Sequence, residues 1–126
     1  MIANHENNVY SAGITDTIYG GAFADIASKL NDHHYSITVC KGAHSKPIVS
    51  VTNSSTPEIM PIIHVNTRIM KDNNGLWWVL DLKFSFPDLW QVHGSDPAAV
   101  SYMLRVWEAI THIATGLNKI KIPYTD

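Results

Sequence analysis

The chain has 126 residues, with 9 Lys and Arg against 11 Asp and Glu, 7 His and 1 Cys, and a formal net charge of −2. That length suits one domain, 1–126, and a 45% hydrophobic composition with 4 Trp, 5 Tyr and 3 Phe supplies a real core. A single cysteine excludes an internal disulfide framework and any Cys-based zinc site, and the near-neutral balance gives no electrostatic drive towards nucleic acid or anionic lipid.

No apolar run approaches the roughly 20 residues of a membrane span. The opening Met1–Asn8 lacks the form of a signal peptide, so the expectation is a cytoplasmic protein. Only 16% of residues are charged, against about a quarter in an average domain. Asn, Ser and Thr supply the polarity instead. A surface wetted by neutral groups repels its own copies weakly and favours association.

Residues 1–13 are polar and read as a loose arm or a first edge element. Apolar residues then recur at Ile14, Ile18, Ala22, Ile26 and Leu30, one face of a helix, widened by Phe23 and Ala27. Gly20 and Gly21 would each cost about 1 kcal/mol inside it. The helix is therefore assigned to Ala22–Asn31, with the preceding turn left open. Tyr35, Ile37 and Val39 alternate with Ser36, Thr38 and Cys40 as a half-buried strand does, and Ile48–Thr52 follows as a second strand.

A long hairpin covers Ile62–Phe86. Asn74-Gly75 is a preferred pair for a two-residue type I′ turn. Closing the turn there sets Ile63, Val65, Thr67 and Ile69 opposite Phe86, Phe84, Leu82 and Leu80, an apolar wall. The other face then sets His64 opposite Ser85, Asn66 opposite Lys83, Arg68 opposite Asp81 and Met70 opposite Val79. A four-residue loop at Asp72–Gly75 keeps the same faces and loses the Arg68–Asp81 match.

Asp96 caps a long last helix with Pro97 at its first position. Gly116 stands near its end, and Lys119–Tyr124 is a short tail able to return as an edge segment. The order α-β-β-β-β-α implies an α+β domain: a single antiparallel sheet of about four strands, covered on one face by two helices.

The last helix carries the main functional clue. At 100° per residue its stripe holds Val100, Met103, Leu104, Trp107, Thr111 and Ala114, and a flank of Tyr102, Val106, Ala109, Ile113 and Leu117 extends it to roughly 200°. One sheet hides less than that. The surplus is left for the first helix, a second subunit or a ligand. Ser101, Arg105, Glu108 and His112 fill the polar arc, where Glu108 and His112 stand four apart, as a carboxylate orienting an imidazole would, or as an ordinary solvated face.

Metal and nucleotide motifs are weak. His33 and His34 are adjacent, and adjacent side chains diverge. Gly20-Gly21 lacks the sequel of a phosphate loop, and Cys40 reads as a structural thiol. No cofactor, metal ligand or catalytic residue is assigned.

The first functional expectation is a non-enzymatic module recognising a protein partner, inhibitor- or immunity-like by analogy of size and surface alone, and homodimeric. Its partner contacts are Trp77, Trp90, Arg68 and Asp81, and its subunit contacts Tyr102, Val106 and Ile113. The alternative is a binding protein for an anionic small molecule, or a small enzyme. Its pocket would lie between sheet and helices and use His64, Arg68, Lys83, Glu108 and His112.

Overall fold

A computed structural model describes residues 21–54, 58–89, 91, 94 and 96–126. The N-terminal arm and Trp90 lie outside the described residues. Helix α1 (Gly21–Asn31) buries Phe23, Ala27 and Leu30, a three- and four-residue row. It stops at the turn through His33 and His34, where His34 takes φ 67°. The adjacent histidines thus serve to reverse the chain.

Strand β1 (Tyr35–Lys41) pairs antiparallel with β2 (Pro47–Asn53). Between them a short 3-10 turn, Ala43–Ser45, holds two non-glycine residues at positive φ, His44 at 58° and Ser45 at 67°. Strands β3 (Ile62–Asp72) and β4 (Gly75–Ser85) form the hairpin, and β5 (Lys121–Pro123) adds to β4. Helix α2 (Pro97–Thr115) starts at Asp96, whose carboxylate accepts from the backbone N–H groups of Ala98 and Ala99 at 3.1 and 3.4 Å.

The α+β class and antiparallel pairing stand, while the single four-stranded sheet gives way to two sheets, β1-β2 and β3-β4-β5. A proline stands at each end of the unpaired β2–β3 seam. Pro47 opens β2 and Pro61 precedes β3, so neither offers an N–H to a ladder. The carbonyl of each is taken by a hydroxyl instead: Thr67 Oγ1 donates to Pro47 O at 2.7 Å, and Tyr35 OH donates to Pro61 O at 2.6 Å.

The hairpin takes the register of the four-residue Asp72–Gly75 loop rather than that of the Asn74-Gly75 turn. Asp72 faces Gly75, so Ile63 meets Phe84, Val65 meets Leu82, Thr67 meets Leu80 and His64 meets Lys83. Asn73 and Asn74 keep negative φ, and Gly75 alone takes the left-handed region at 123°. The Asp72 carboxylate, accepting from Asn74 N at 2.8 Å, holds this turn in place of the mirror-image form. A two-residue shift preserves both faces. Arg68 and Asp81 become diagonal neighbours and still meet at 2.6 Å.

Two joined clusters form the core. In one, Phe23 and Ala27 of α1 meet Ile37, Val39, Trp78, Leu80, Leu117, Ile120 and Ile122. In the other, Leu30, Tyr35, Met60 and Ile63 meet Met103, Trp107, Ile110 and Ala114 of α2. The apolar strand faces and both helices therefore share one interior. The wall fades towards the turn, where Ile69 is exposed. On the opposite face Val79 is only 5% exposed, flanked in the register by the long stems of Arg68 and Lys121.

Candidate functional site

Helix α2 is rolled relative to its sequence-derived stripe. Met103, Trp107, Ile110 and Ala114 are buried, which moves the centre of the apolar face by about 40° at 100° per residue. The end of α2 approaches α1 closely: a Cβ built on Gly116, which ends α2, would stand 2.9 Å from Ile26 Cδ1. Val106 and Ile113, expected as subunit contacts, are half-buried against the core, whereas Tyr102 projects, 61% exposed, and Ala109 of the same flank is also exposed.

The opposite margin of α2 also carries exposed apolar side chains. Leu104, expected in the core stripe, is 50% exposed, and Phe86 beside it is 51% exposed. These two residues, with Trp107, Glu108 and Thr111, line a shallow groove of about 370 Å³. Its floor is rigid. The Trp107 indole N–H donates to Ile59 O at 3.0 Å, and the Phe86 ring centroid lies 5.2 Å from that of Trp107. Glu108, Arg105, Ser101 and His112 run along one side of the Leu104 row, all exposed.

The outer face of the hairpin carries the other candidates. Arg68 Nε donates to Asp81 Oδ2, so this cation is already engaged by the neighbouring carboxylate. His64 Nε2 lies 3.4 Å from Ser85 Oγ and faces Lys83 across the strands. Trp77 is half-buried and tied down. Its indole N–H donates to Asp72 Oδ1 at 2.8 Å, while Lys121 Nζ lies 4.5 Å from the ring centroid and donates to Asp72 Oδ2 at 2.9 Å. The hydrogen bond from Lys121, then those from Trp77 and Asn74, lowers the Asp72 pKa to about 2.

The five residues of the small-molecule alternative do not converge. His64, Arg68 and Lys83 lie on the sheet face turned away from the helices, whereas Glu108 and His112 lie on the solvent side of α2. Glu108 and His112 make no hydrogen bond to each other. Glu108 borders the Leu104 groove, and His112 a separate recess of about 250 Å³ with Lys29, Lys119 and Gly116. A further recess of about 270 Å³, between Tyr35, Val51 and Met60–Ile63, is almost wholly apolar.

One cluster has no signal in local sequence. Trp78 donates its indole N–H to His44 O at 2.9 Å, and the His44 ring stacks on Tyr124 at 4.9 Å and donates from Nδ1 to Thr125 O at 3.0 Å. The turn at Ala43–Ser45 thereby clasps the C-terminal tail, across a separation of some 80 residues that only the fold closes. Among the described residues no three His, Cys, Asp or Glu side chains gather as a metal site would, and no helix is long and apolar enough to cross a membrane. No family model, curated protein or solved structure matches this chain.

Proposed function

We propose that the protein is a non-enzymatic recognition module whose working surface is the uncovered margin of α2. The observation that carries this reading is the groove lined by Phe86, Leu104, Trp107 and Thr111: two large apolar side chains, half exposed, beside a buried Trp107 whose indole is hydrogen-bonded to Ile59 O, and bordered by the charged residues Arg105 and Glu108. Anchors of this kind in a polar rim are the usual anatomy of a protein contact. The low surface charge adds to the argument, since little repulsion opposes approach. Trp77, Arg68 and Asp81 are held by bonds within the hairpin, and we place them outside the primary contact.

The test joins two measurements on the purified full chain. Sedimentation velocity over a concentration series reads association, and thermal shift against a metabolite and nucleotide panel reads small ligands. The module reading predicts concentration-dependent mass, or partner-dependent protection of Leu104, with no ligand shift. A metabolite at 100 times its Kd would stabilise by about 2.7 kcal/mol. Such a shift, with no change in mass, overturns the reading.

A further inference from the structure

We infer that the Leu104 margin of α2 receives a second copy of the same helix, antiparallel and in one defined register; this rests on the recognition reading above. In a two-fold antiparallel helix pair, residues on one flank of the contact row face residues on the same flank of the partner. Ser101, Arg105, Glu108 and His112 all lie on one flank of the Leu104 row. Among the described residues Arg105 and Glu108 form no ion pair, although they stand three apart on α2.

Setting Arg105 against the partner's Glu108 fixes everything else. The two-fold repeats that pair, so two opposite-charge contacts form at once. Ser101 then falls at the height of the partner's His112, a donor and acceptor match. Leu104 falls at the height of the partner's Ala109, between the levels of Trp107 and Thr111, and so enters the groove those residues line with Phe86. A slip of one turn in one direction sets Arg105 against the partner's His112, and in the other sets Glu108 against the partner's Ser101. Neither slip keeps the paired charges. Helix knob, groove and charge row thus agree on one register.

Charge reversal tests the register on exposed residues. Sedimentation velocity of the full chain should show a reversible dimer, weakened about tenfold by Arg105→Glu or by Glu108→Arg and restored by the double reversal. Leu104→Asp should leave a monomer with unchanged circular dichroism. A wild-type chain that stays monomeric at hundreds of micromolar overturns the second copy as occupant. A dimer indifferent to both single reversals overturns the register. If the chain is monomeric and Leu104 instead cross-links to a different protein, the second copy is excluded and the recognition reading survives. A metabolite seated in the groove removes both.

Discussion

Asp72 gathers three donors on one carboxylate: Asn74 N–H, the Trp77 indole and Lys121 Nζ. Its pKa therefore sits at about 2, below the ordinary value of 3.8. The contribution it makes is fully present above the ordinary carboxylate range and is lost as pH falls through about 2. An NMR titration of the carboxyl carbon should show that low midpoint, and Lys121→Met should move it up; a midpoint in the ordinary range contradicts the cluster. Tyr35 titrates in the opposite sense. Burial pushes its phenol well above 10, so the unfolded chain releases this proton first, and stability falls as pH rises beyond about 10. Tyr35→Phe leaves Pro61 O without its donor and should cost about 1–2 kcal/mol in urea unfolding, where an unchanged midpoint would remove the role given to that bond.

At the scale of elements, Gly116 and Ile26 join α1 to the end of α2. A methyl at Gly116 collides with Ile26 Cδ1, so Gly116→Ala should destabilise by about 1 kcal/mol although its backbone is helical. Ile26→Val removes the colliding carbon, and in that background the same change should become neutral or favourable. Thermal unfolding of the four variants checks the sign reversal. Local pattern was enough to find most elements: the alternation Tyr35–Cys40, the capping pair Asp96-Pro97 and the two faces of the hairpin all carry short-range signals. The sheet break was hidden, and the observed register was legible only as the Asp72–Gly75 loop alternative. Asn74-Gly75 favours one turn locally, but Asp72 binds Asn74, Trp77 and Lys121, the last of them 49 residues away. Whether β2 and β3 share a ladder depends on how they approach in the fold, which neither strand's own residues report. The exposed margin of α2 was misplaced for a similar reason: periodicity shows how wide the apolar arc is, while its orientation depends on the packing of α2 against Leu30, Tyr35, Met60 and Ile63 of other elements.

On the scale of the whole molecule, both helices share one interior with the strands, and the outer surface divides into two unlike faces. On the hairpin face Arg68 is engaged by Asp81 and Trp77 by Asp72, while Ile62 and Lys83 stay exposed. The α2 margin keeps Leu104, Phe86, Arg105 and Glu108 exposed. The Leu104–Phe86 groove is the feature on which we propose recognition by the helix. Amide chemical-shift mapping of labelled protein, diluted from hundreds of micromolar to a few micromolar, tests this assignment most directly. The account predicts concentration-dependent shifts confined to Ser101–His112 and Phe86. Shifts centred on Trp77, Arg68 and Asp81, with α2 unmoved, would contradict it.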